Sequence, residues 1–142
     1  MNTTDRLTKV LEQIDRTDKL REYVDDLEES LPYDSFAEYY LSLENVKAIG
    51  KAELILRSNI DRTYGYQILN GTRKPGRDKI ILLCLVAGLT LAETQRGLKI
   101  AGEGILYSRK RRDAILIFAF NEHLSIADTQ ELLIQFGEAV LE

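Results

Sequence analysis

One cysteine, one histidine, no tryptophan and only two prolines occur in 142 residues. The single Cys84 excludes a disulfide framework within the chain. It sits inside IILLCLVAG and reads as core. One histidine and one cysteine supply neither a metal-ligand cluster nor a His-based nucleophilic pair. The acids are spread along helical surfaces without a paired-carboxylate pattern, and no glycine-rich phosphate loop follows a strand. The expectation is a non-enzyme with no catalytic residue, no metal and no cofactor. No apolar run approaches the ~18 residues of a membrane span. The start, MNTTDRLTKVLEQ, lacks a signal-type apolar stretch, so no membrane and a cytoplasmic location are expected. Pro32 and Pro75 both stand where a helical pattern breaks.

What is present is a soluble-type composition, 44% hydrophobic and 30% charged, enough apolar material for one core. The formal charge of −4 conceals an uneven distribution. Residues 1–48 hold 6 basic and 12 acidic side chains, residues 49–112 hold 13 and 5, and residues 113–142 hold none and 6. A basic middle between acidic ends points either to a polyanion partner or to attraction within one fold.

Helical spacing dominates and strand alternation is nearly absent. Leu7, Val10, Leu11 and Ile14 form one stripe; Leu20, Val24, Leu27 and Leu31 form another, out of phase across DRTD (15–18). This acidic arm either packs on the rest of the chain or pairs with a second chain. Ser35 and Glu38 make a capping box, predicting a helix to about Asn45. Two short helices follow over 51–58 and 61–70, with Asp61 as N-cap of the second. Gly71 ends it, because glycine accepts the left-handed conformation without penalty.

Residues 77–106 and 112–141 then repeat without a gap at an offset of 35, with 11 of 30 positions identical. The matches include Arg77/Arg112, Asp78/Asp113, Thr94/Thr129 and Gln95/Gln130. Each unit reads as an apolar helix, a short turn and a capped amphipathic helix. His123 falls at the turn position of Gly88, which suits a residue that tolerates positive φ. The period suggests stacked helical hairpins, one completing the globule and one extending it.

The stretch KAELILRSNIDRTYGYQILNGTRKP resembles the Cro/repressor-type (XRE, lambda-repressor-like) helix-turn-helix family. Ala52-Glu53-Leu54, Ile68, Asn70-Gly71 and Pro75 match in register, and the resemblance covers roughly residues 35–102. It implies an all-α, lambda-repressor-like helix-turn-helix bundle at 34–106; the stripes and the repeat add an acidic N-terminal helical arm at 1–33 and an acidic, repeated C-terminal helical hairpin at 107–142. Asn59 takes the place of the family's turn glycine. Ile55 stands where a small residue is usual and Gly65 where Ile or Val is usual, a size swap that compensates if the two face each other.

The resemblance also implies a function, sequence-specific DNA binding by a bacterial or phage-encoded regulator, expected to be a repressor. Arg62, Thr63 and Gln67 fall on the base-reading face, where arginine suits guanine and glutamine suits adenine. Lys51, Tyr66, Asn70, Thr72, Arg73 and Lys74 fall at phosphate-binding positions. Tyr64 and Tyr66 stay open between phosphate contact and core. The cluster SRKRRD (108–113) stays open between phosphate contact and pairing with the acidic ends. The expected partners are double-stranded DNA and a second copy in a homodimer. The alternative is an adaptor that keeps the fold and binds a protein through the acidic arm or the C-terminal hairpin.

Overall fold

In the computed structural model the described residues are Leu20, Arg21 and residues 33–142. Leu20 and Arg21 are helical and exposed; the two stripes expected for the arm otherwise lie outside the described residues. All regular structure among the described residues is helical, and none of these helices is long and apolar enough to cross a membrane. In chain order they are α1 (Phe36–Ser42), α2 (Glu44–Ile49), α3 (Lys51–Ser58), α4 (Arg62–Leu69), α5 (Arg77–Val86), α6 (Leu91–Ile100), α7 (Arg111–Asn121) and α8 (Ile126–Gln135).

Local capping sets most of the starts. Ser35 Oγ accepts from the Glu38 amide, Asp61 from Tyr64, Thr90 from Glu93 and Ser125 from Asp128. Each bond satisfies a first-turn N–H that has no partner in the helix. The helix expected to reach Asn45 instead stops at Ser42. Ser42 Oγ donates to the Tyr39 carbonyl at 2.6 Å, and Leu43 turns extended with ψ 138°. A short serine bonding back to its own helix competes with the next helical bond, and α2 begins afresh at Glu44.

Side chains from all eight helices meet in one cluster. At its centre Tyr40, Leu54, Ile68, Ile80, Leu83, Leu98 and Leu116 are fully buried. Cys84 is buried with them, and that burial pushes its thiol up to about 12. The thiol therefore stays protonated and unreactive. Residues 33–142 form one compact unit, so the division expected at 106/107 falls inside it.

The repeat is built into that unit in a way its period did not reveal. Arg77 donates through Nη1 and Nη2 to Asp113 (3.0 and 2.8 Å), and Arg112 donates the same way to Asp78 (3.1 and 2.9 Å). Arg77 also holds the carbonyls of Gly104 and Ile105, and Arg112 those of Ala139 and Val140. The Tyr107 amide donates to Asp113, and the Glu142 amide to Asp78. Gln95 clamps Leu106 by two bonds, as Gln130 clamps Leu141. Every bond from the first hairpin to the second has a counterpart in the opposite direction. That reciprocity is the mark of an approximate twofold relation, as in an isologous dimer interface. The second hairpin (α7–α8) therefore closes on the first (α5–α6) instead of stacking beyond it. His123 takes φ 53° in the place of Gly88 at 66°.

Candidate nucleic-acid interface

The site is carried by α3, α4 and the loop that follows. α3 ends at Asn59, which adopts the left-handed conformation (φ 61°, ψ 16°) and turns the chain toward the Asp61 cap. The two helices can pack closely because Gly65 has no side chain. A Cβ there would lie 2.9 Å from Ile55 Cγ2 and 3.1 Å from Cγ1. Ile55 is 3% exposed, so its branched side chain has no free space to move into. Ile55 and Gly65 are thus a matched large-small pair, with α3 supplying the volume that α4 lacks. Gly71 follows at φ 78°, as its C-terminal position requires.

Arg62 and Thr63 open α4 and Gln67 lies one turn further on, but the three are not on one face. Thr63 and Gln67 line a shallow groove with Asp61, Tyr64, Arg73 and Lys79. Arg62 lines a second groove between α3 and α4, beside Leu56 and Tyr66. Neighbouring helical residues point ~100° apart, so α4 presents Arg62 on one flank and the Thr63/Gln67 pair on the other. Arg62 and Thr63 are exposed; Gln67 is half-buried.

Two tyrosines serve as platforms. Arg62 lies over the Tyr66 ring at 5.9 Å from the centroid. Arg73 and Lys79 lie over Tyr64 at 4.8 and 5.7 Å. Such stacking holds a cation in place while leaving its charge accessible. Both rings are half-buried and pack against the core cluster. Lys51 Nζ donates to Asn70 Oδ1 at 3.3 Å, tying the start of α3 to the end of α4. The start of α3 has no side-chain cap, which leaves first-turn N–H groups beside Lys51 for an anion. Thr72 Oγ1 donates to the Gln67 carbonyl, and Arg73 and Lys74 are exposed.

The cations divide into two populations. Arg77 and Arg112 are bound to Asp113 and Asp78, and Arg111 lies 3.3 Å from Glu138. In SRKRRD, Arg111 and Arg112 therefore serve the hairpin pair and its acidic end. Around α4, by contrast, Lys51, Arg62, Arg73, Lys74 and Lys79 have no acidic partner among the described residues. Lys79 was not among the expected site residues. It belongs to the basic stretch YQILNGTRKPGRDK, which left its role open; its place over Tyr64 comes from tertiary packing of α5. Among the described residues no three His, Cys, Asp or Glu gather as a metal site would require. Comparison with protein-family models, with curated proteins and with solved structures returned no match.

Proposed function

We propose that the chain is a sequence-specific DNA-binding transcriptional regulator, a Cro/repressor-type helix-turn-helix protein that inserts α4 into the major groove. One observation carries the reading: five cations surround α4 without an acidic partner among the described residues, whereas Arg77, Arg111 and Arg112 are engaged in ion pairs. Lys51, Asn70, Thr72, Arg73 and Lys74 then hold phosphates, setting register without reading sequence. Arg62 serves guanine O6/N7 from one flank of α4. Gln67 serves adenine N6/N7 and Thr63 a thymine methyl or an acceptor from the other. Tyr66 acts mainly as the support for Arg62. A single α4 covers one half-site, so a homodimer on an inverted repeat is the expected bound form, and occupancy of an operator the expected means of repression. The adaptor reading draws its support from a different surface, the exposed apolar face of the second hairpin.

Selection of bound sequences from random duplex DNA tests the proposal. The wild-type chain is expected to yield a short inverted-repeat consensus. Arg62→Ala and Gln67→Ala should each relax particular base positions by about 1–3 kcal/mol. Lys74→Ala should instead weaken all sequences alike and lower the salt slope by about one unit. Absence of any enrichment at low salt would overturn DNA reading.

A further inference from the structure

The two hairpins share their bonds but not their cover. On the first, α1 packs against α6 and reaches α5 through Tyr40. Tyr40 Oη donates to the Leu83 carbonyl at 2.6 Å, and Tyr39 Oη to the Glu93 carbonyl at 2.9 Å. Gly97 lies beneath Phe36 and Tyr39, so near that a Cβ would come within 3.2 Å of the Phe36 ring. Ala101 lines the cleft beside Phe36. At the offset of 35, these four positions become Phe118, Asp128, Leu132 and Phe136.

On the second hairpin the same positions are open. Leu83 is 0% exposed and Ala101 5%, whereas Phe118 is 50% and Phe136 48%. Single exposed apolar residues are ordinary, but a group of large ones is the mark of an interaction surface. Here the internal twofold relation adds the geometry, because the equivalent surface already carries a helix. It also indicates how the sizes are shared. On the first hairpin small Gly97 and Ala101 receive rings brought by α1. On the second, Leu132 and Phe136 supply the bulk themselves, so a helix laid there needs an aliphatic rather than an aromatic face.

Charge selects the occupant. Beyond the Arg109, Lys110, Arg111 and Arg112 cluster at the start of α7, residues 113–142 hold six acids and no lysine or arginine. Asp113 is taken by Arg77, and Glu138 is paired with Arg111. Glu122, Asp128 and Glu131 have no cationic partner among the described residues. Glu131 occupies the place where the first hairpin has Arg96, whose guanidinium lies over Tyr33 and Tyr39. A second copy meeting this face about a twofold axis would bring like charges together. The first 48 residues, with 12 acids against 6 bases, are no better suited. We infer that the second hairpin docks a basic amphipathic helix of a partner protein against α8 and the Phe118 position of α7, as α1 packs against α6 and reaches Leu83 of α5. This is helix-on-groove recognition with aliphatic anchors and basic flanks, and it does not depend on DNA binding.

The test uses the full chain and a fluorescent helical peptide of about 20 residues, leucines at i, i+3, i+4 and i+7 and lysines elsewhere. A second peptide carries glutamate for lysine. Anisotropy at physiological salt should show binding of the lysine peptide, with Phe118→Ser and Phe136→Ser each weakening it about tenfold or more. The glutamate peptide should bind at least as much more weakly. Both replaced side chains are half-exposed, so the variants should stay folded at the assay temperature, which their unfolding midpoints check. Equal binding by wild type and variants would reduce the effect to general charge attraction and overturn the proposal. No binding by the wild type would overturn it too. A doubled mass for the wild type, lost in the variants, would assign the face to a second copy instead.

Discussion

Asp113→Ala is expected to lower the stability of the chain by about 3 kcal/mol, at the lower end of the cost of breaking a buried ion pair. Asp113 is 3% exposed and accepts three hydrogen bonds, two from Arg77 and one from the Tyr107 amide. Alanine leaves the guanidinium facing only the Gly104 and Ile105 carbonyls, and leaves the Tyr107 N–H unsatisfied. The Arg77 side chain is 25% exposed, so water recovers part of the loss. That is why the lower end applies. Asp78→Ala should cost less, because Asp78 and Arg112 are 26% and 22% exposed. Arg77→Met/Asp113→Leu should cost less than Asp113→Ala alone, since no unpaired charge remains. Urea unfolding midpoints at constant m-value measure all of these. A loss below ~0.5 kcal/mol for Asp113→Ala would show that the reciprocal bonds do not hold the hairpins together.

The same pairs make the protein acid-sensitive in a defined direction. Burial by itself would raise the carboxyl of Asp113, but the Arg77 hydrogen bonds, the Tyr107 amide and the arginine charge outweigh it and hold the group below the usual 3.8. Asp78 is held down likewise by Arg112 and the Glu142 amide against its own desolvation. A depressed folded-state value means the contribution is complete above the unfolded value and lost as pH falls through the folded one. Stability should therefore fall as pH drops below about 4, and Asp113→Ala should flatten that fall.

Gly65→Val is expected to destabilise the chain by about 1–3 kcal/mol and to abolish selection of a DNA consensus. The new Cβ would lie 2.9 Å from Ile55 Cγ2. Removing a helical glycine returns up to ~1 kcal/mol of helix propensity, but valine adds two methyl groups in the same place. Relief requires α3 and α4 to separate, and that moves Arg62, Thr63 and Gln67 relative to Lys51. Ile55→Ala alone should cost about 2–5 kcal/mol through the cavity it leaves. Combined with Gly65→Val it should cost at least ~1 kcal/mol less than the two changes summed, because each fills what the other empties. Additive losses in the double mutant would refute the matched pair.

Ile55 where a small residue is usual and Gly65 where a branched one is usual suggested compensation. Only the 2.9 Å approach establishes that the two face each other. The site divides similarly. Arg62, Thr63 and Gln67 are recognisable because they follow a capped helix start, and caps are local. That Arg62 serves one groove while Thr63 and Gln67 share another with Lys79 depends on where α3 and α5 lie beside α4.

Ser35, Asp61, Thr90 and Ser125 determined their helix starts by sequence alone, since a capping oxygen reaches an amide only three residues away. Gly71 and the exchange of Gly88 for His123 did the same for turns, through the backbone angles those residues tolerate. The 35-residue period was likewise plain in the sequence. Whether the copies stack or close on each other was not, for translation and rotation leave the same spacing. Tertiary structure decided it by bringing Arg77 to Asp113 and Arg112 to Asp78. Those pairs lie more than 30 residues apart, and their geometry depends on how two hairpins approach. The same closure drew Arg77 and Arg112 into ion pairs, whereas Lys51, Arg62, Arg73 and Lys74 lie exposed without an acidic partner among the described residues.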